Sequence, residues 1–156
     1  APENQSATPP ASIQYDLPYP GILPGHPLYV FKMLRDHFVG LLINDPVKRA
    51  EFNLLQSDKR IFAAAMLFEN GEAELGMETL SKSNNYMHTA VSDSKRAKQA
   101  GKDIAPAASR IKSSIEKHLE IIMNLESVYA SHQQELENER KRLGEIQEMY
   151  RNSFPH

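Results

Sequence analysis

Apolar residues recur at steps of three and four along most of this chain, the spacing of one helix face. Leu28, Phe31, Leu34, Phe38 and Leu41 predict a first helix over about 27–43, with Pro27 suited to its first position. Asn44-Asp45-Pro46 stops that helix and starts the next, Asp45 as N-cap and Pro46 as first residue. The second helix, about 46–70, carries Leu54, Ile61, Ala65 and Phe68 on one side and Phe52, Leu55, Phe62 and Met66 beside them. Gly71 ends it by taking the left-handed conformation. A third helix, about 72–100, has a weaker stripe through Met77, Leu80, Met87 and Val91. Its acids gather at the start and its bases at the end, as the helix dipole favours.

The clearest periodicity lies over about 106–150. Ile111, Ile115, His118, Ile122, Leu125, Tyr129, His132, Leu136, Glu139, Leu143, Ile146 and Tyr150 follow one another at alternating steps of four and three. That heptad spacing predicts one long helix packed side by side with others. At 1.5 Å per residue it extends roughly 68 Å, some 25–30 Å beyond its shorter neighbours.

Before the helices, Pro18, Pro20, Pro24 and Pro27 forbid helix, while Tyr15, Leu17, Tyr19, Ile22 and Leu23 are too apolar for a free linker. An extended strap over 13–26, lying on the folded body, satisfies both facts. Residues 1–12 read as a flexible tail. The expected fold is all-α: one domain over 13–156, an up-and-down antiparallel bundle of four helices with a proline-rich strap and a long C-terminal helix.

Composition narrows the chemistry. Among 156 residues there is no cysteine, which excludes disulfides, thiol catalysis, zinc–thiolate sites and iron–sulfur clusters. A net charge of -2 offers no field to hold nucleic acid. No apolar run approaches the ~18 residues of a membrane span. The Ala-Pro start is what a signal peptidase leaves, so with the missing cysteines the expected location is extracytoplasmic, periplasmic or cell-surface, after export.

No Gly-rich phosphate loop, His-Glu-x-x-His or Gly-x-Ser-x-Gly occurs, and the Glu-x-x-His pair of a di-metal bundle is missing. An enzyme is therefore not expected, and neither is a cofactor. His118 and His132 stand on the long seam about 21 Å apart along the axis, too far to share one metal. Each reads first as a seam histidine making one hydrogen bond. A small-ligand or metal-binding bundle using such histidines is the alternative. The six methionines follow the core stripes as gap-fillers.

Leu17-Pro18-Tyr19-Pro20-Gly21-Ile22-Leu23-Pro24, followed by Pro27-Leu28-Tyr29 and Lys32, resembles a helical domain family of unknown function found in exported bacterial and archaeal proteins. Asp36 takes that pattern's carboxylate position, and Asp45-Pro46 and Asp58-Lys59-Arg60 fit its second helix, so the likeness covers about residues 15–100. The resemblance implies an exported helical module and transfers no activity. Physically the shared residues look structural, and Asp36 with Arg60 is a candidate ion pair fixing helix register.

The function these readings favour is a non-enzymatic structural or protein-interaction module acting through its long C-terminal helix. The candidate interaction seam is Tyr129, His132, Leu136, Leu143, Ile146 and Tyr150, flanked by charges as beside a coiled-coil seam. Its partner would be a second copy of the chain or another helical protein.

Overall fold

The structure, a computed structural model, describes residues 12–155. The expected tail over 1–12 lies outside the described residues except for Ser12. The described chain is all-α and without strands: α1 (Tyr29–Leu42), α2 (Pro46–Glu69), α3 (Ala73–Gln99), α4 (Ala105–Val128) and α5 (Gln133–Ser153), with a 3-10 turn at Ala130–His132.

Local chemistry sets the ends of α2 and α3. The Asp45 carboxylate accepts from the Val47 N–H at 2.8 Å and the Lys48 N–H at 3.4 Å, with Pro46 as first residue. Gly71 sits at φ 81° past the end of α2. The Glu72 N–H reaches back to the Leu67 carbonyl at 2.8 Å and the Gly71 N–H to Phe68 at 3.1 Å, the Schellman closure. Gly101, at φ 70°, closes α3 the same way: Lys102 bonds Ala97 and Gly101 bonds Lys98, each at 3.0 Å.

Four helices, α2 to α5, make the bundle. Asn53 pairs with Asp93 and Ser57 with Ser83, so α2 and α3 are antiparallel. Their backbones come close at small residues: Ser57 and Ser83 each donate to the other's carbonyl at 2.9 Å, and Gly76 lies under the Phe68 ring. Glu126–Arg140 and Ala108–Tyr150 make α4 and α5 a second antiparallel hairpin. The hairpins stack so that α2 runs parallel to α4 (Glu51–Arg110, Asp58–His118) and α3 parallel to α5 (Asn84–Glu139, Lys98–Ser153). An arrangement with every neighbour antiparallel is therefore not what forms.

The expected long helix over 106–150 is two helices. At Tyr129 the backbone leaves helical geometry (φ -109°, ψ 70°) and the chain reverses through Ala130–His132. The physical reason is the seam itself. An apolar line projecting into water is unfavourable, and folding it back buries Leu136 and Leu143 completely. No overhang remains. The first helix also departs from expectation: it begins at Tyr29 rather than Pro27, has no side-chain cap and buries none of its residues.

Candidate functional site

Three places in the molecule gather side chains that could act, and the first is deep in the core. Asp58 on α2 is 3% exposed and accepts three hydrogen bonds. Tyr15 of the strap donates its hydroxyl to Oδ2 at 2.6 Å. Ser114 donates to Oδ1 at 2.5 Å, and His118 Nε2 lies 2.9 Å from the same oxygen. Ser114 and His118 are one turn apart on α4 and fully buried. Three donors on one carboxylate offset the cost of burying it. Burial, then the hydrogen bond to Asp58 and its charge, pushes the Tyr15 hydroxyl well above the usual tyrosine range.

This serine, histidine and carboxylate do not form a nucleophile. A relay needs the histidine between serine and carboxylate, with the serine open to substrate. Here Asp58 Oδ1 holds both partners, Ser114 is 3.3 Å from the ring nitrogen, and all three are closed to water. The other ring nitrogen of His118, Nδ1, is buried without a partner. The cluster is a latch: it ties α2, α4 and the strap together. The strap is also held where the Ile13 N–H and Ser12 hydroxyl meet Glu120, at 2.8 and 3.2 Å. Lys117, then that N–H, keeps the Glu120 carboxyl below its usual range.

The second place is the outer face of α1. Tyr29, Lys32, Asp36, Gly40 and the following Ile43 are the half-buried positions, one stripe at helical spacing. Lys32 Nζ donates to the Pro20 carbonyl at 2.5 Å and the Ile22 carbonyl at 3.2 Å, which ties α1 to the strap. Gly40 lies against the Phe52 ring. The helix thus turns its polar and small side inward. Val30, Phe31, Leu34, Phe38, Leu41 and Leu42 point to solvent, all more than half exposed.

The third place is the hollow between α1 and the bundle, where Val30, Met33 and Leu34 face Tyr86, with Arg60 at its inner side. The expected Asp36–Arg60 pair does not form. Asp36 binds its neighbour Arg35 at 2.8 Å. Arg60 donates to the Gln56 carbonyl at 3.2 Å and Oε1 at 2.6 Å, and its guanidinium carbon lies over the Tyr86 ring at 4.3 Å. The reach that would cross to α1 is taken up along α2 and α3.

The expected seam is brought together, but inside the chain. Leu136, Leu143, Ile146 and Tyr150 are buried against α3 and α4, and the Tyr150 hydroxyl donates to the Ala108 carbonyl at 2.9 Å. Tyr129 and His132 flank the turn and close on the Phe68 ring, at 4.9 and 6.1 Å between centroids. None of these six offers an open line to another molecule. The seam histidines are kept apart as well: His118 belongs to the latch, while His132 Nδ1 pairs with Glu135 at 3.0 Å. Among the described residues no three His, Cys, Asp or Glu side chains are grouped to hold a metal. No helix among them is long and apolar enough to cross a membrane.

The family model described as a domain of unknown function (DUF5667) matches residues 21–145, and the chain belongs to that family. The match reaches through α4 and into α5, past the 15–100 stretch that carries the resemblance in the sequence. No curated protein and no solved structure matches the chain.

Proposed function

We propose that this DUF5667 domain is a non-enzymatic interaction module, and that it acts through the outward face of α1 by pairing with α1 of a second copy. The single observation behind this reading is the inverted helix. An amphipathic helix on a folded body ordinarily buries its apolar stripe. Here the apolar stripe faces water, and a polar and small stripe faces the body.

The size of the face supports a second copy as its occupant. At roughly 100 Å² of exposed apolar surface per side chain, the six residues offer about 600 Å², at the upper end of the ~300–600 Å² patches of ordinary monomers. Leu28 and Val39 extend it toward the ~800 Å² per partner of a stable interface. A two-fold crossing centred near Leu34 and Arg35 sets Phe31 against the partner copy's Phe38 and leaves the exposed Arg35 at the rim. A lipid surface is less well served. The cations of α1 itself already have partners within the chain: Lys32 on the strap and Arg35 on Asp36.

Light scattering over a concentration series tests the reading. Dimer is expected at the upper end, and Phe31→Glu with Leu41→Glu should return the chain to monomer with its melting temperature unchanged, since α1 adds nothing to the core. A wild type that stays monomeric throughout overturns the proposal. If that monomer binds anionic vesicles, the face belongs to a lipid surface. If the double substitution leaves a dimer intact, the copies meet elsewhere.

A further inference from the structure

We propose that the hollow between α1, α2 and α3 is a binding site for a single-chain amphiphile with a carboxylate head. It shares Val30 and Leu34 with the face assigned to dimerisation but does not depend on that assignment, because a single copy presents the whole hollow. Its volume is about 440 Å³, within the range of small-molecule sites. One wall is apolar: Val30, Met33 and Leu34 of α1. The Tyr86 ring forms the other, so a short alkyl chain would lie between hydrocarbon and an aromatic face.

The charge pattern selects the head group. Arg60 and Lys82 line the hollow together with His37, and no carboxylate does. Glu78, the partner of Lys82, sits outside with its side chain 60% exposed. Arg60 is preoriented. Tyr86 supports the plane of the guanidinium and Gln56 holds Nη1 from both its backbone carbonyl and its side chain. Its Nε is buried and makes no hydrogen bond. With Nε closed to solvent and Nη1 held by Gln56, the Nη2 end of the guanidinium is the part left to pair with a carboxylate. A bare phosphate or acetate would satisfy the guanidinium and leave the apolar wall unused, which is why the ligand needs a chain.

Calorimetric titration of the full chain with monomeric decanoate tests this, with 1-decanol as the uncharged control. Saturable one-site binding is expected, about tenfold weaker for decanol and for Arg60→Gln, the loss of one charge-assisted pair. Leu42→Gln, on α1 but outside the hollow, should leave the affinity unchanged, and the Phe31→Glu/Leu41→Glu monomer, in which no second copy covers Val30 and Leu34, should bind at least as tightly. If Arg60→Gln does not fold, Met33→Glu serves instead. It sets a carboxylate in the hollow from a helix that buries nothing, and it should abolish decanoate binding. No saturable binding overturns the proposal. So does equal affinity for decanoate and decanol, or affinity indifferent to both substitutions. Binding of phosphatidylglycerol vesicles without uptake of decanoate overturns it in favour of a membrane surface.

Discussion

Gly76 and Gly144 are both interior helix glycines, and alanine should act on them in opposite directions. Replacing such a glycine by alanine stabilises by about 0.5–1 kcal/mol when the site has room, because alanine loses less backbone freedom on folding. Gly144 on α5 has that room: a Cβ there meets nothing within 4 Å. At Gly76 on α3 the added Cβ lies 2.8 Å from Phe68 Cδ2, 3.0 Å from Cε2 and 3.4 Å from the Ala64 carbonyl oxygen. The ring cannot simply swing away, because it is 1% exposed and held by Tyr129 and His132. Overpacking of this kind costs about 1–3 kcal/mol, which offsets or exceeds the propensity gain. The two variants should differ by about 1–3 kcal/mol, or roughly 3–10 °C in melting temperature for a chain of this length. Urea melts followed by circular dichroism at one slope read the difference. Phe68→Leu combined with Gly76→Ala should cost less than the sum of the single changes, since the smaller side chain relieves the contact. A Gly76→Ala protein as stable as Gly144→Ala would show that α2 and α3 do not approach as closely as the ring contact requires.

Two further outcomes follow from the core and the strap. Leu143→Ala should destabilise by about 2–5 kcal/mol in urea melts, as a fully buried leucine does, and a loss below about 1 kcal/mol would take the seam out of the core. Because the Tyr15 pKa is raised in the folded chain, the strap latch contributes fully below the unfolded value near 10 and weakens as pH climbs above it. Phenolate absorbance near 295 nm should therefore show two tyrosines ionising late, Tyr15 and the buried Tyr150, and Tyr15→Phe should remove one of them. Simultaneous titration of Tyr15 with Tyr19 would mean that the latch is open.

What could be read ahead of the structure was whatever had local punctuation. Asp45-Pro46 and Gly71 mark ends by hydrogen bonding and backbone geometry within a few residues, and both ends fall where the residues put them. The reversal at Tyr129–His132 has no such mark. It contains neither glycine nor proline, and the heptad runs through it undisturbed because both arms pack on the same core. The weak cue is Ser127-Val128-Tyr129, three successive residues of modest helix propensity. Asp58 was hidden among charges in Asp58-Lys59-Arg60. Its position on the stripe Leu54, Asp58, Ile61, Ala65 was the available signal that a carboxylate enters the core. Its three partners come from the strap and α4, contacts that only tertiary structure creates.

The broken helix and the inverted helix are one structural fact. A bundle of this size has places for four helices around its core, and the first helix was expected to take one of them. By reversing at Tyr129, the C-terminal segment supplies two helices instead of one, and α5 fills the fourth place with Leu136, Leu143 and Ile146. Nothing is left in the core for α1 to cover. It can attach only at the margin, through what its narrow polar side offers: Lys32 to the strap carbonyls and Gly40 to the Phe52 ring. Burial is non-directional and proportional to area, so had the core needed α1, its broad apolar stripe would have been drawn inward. That it is not, while six large apolar side chains remain in water, means the free energy of covering them is still available to a second molecule. The four-helix core is complete without α1, so covering the outer face of α1 need not disturb the bundle.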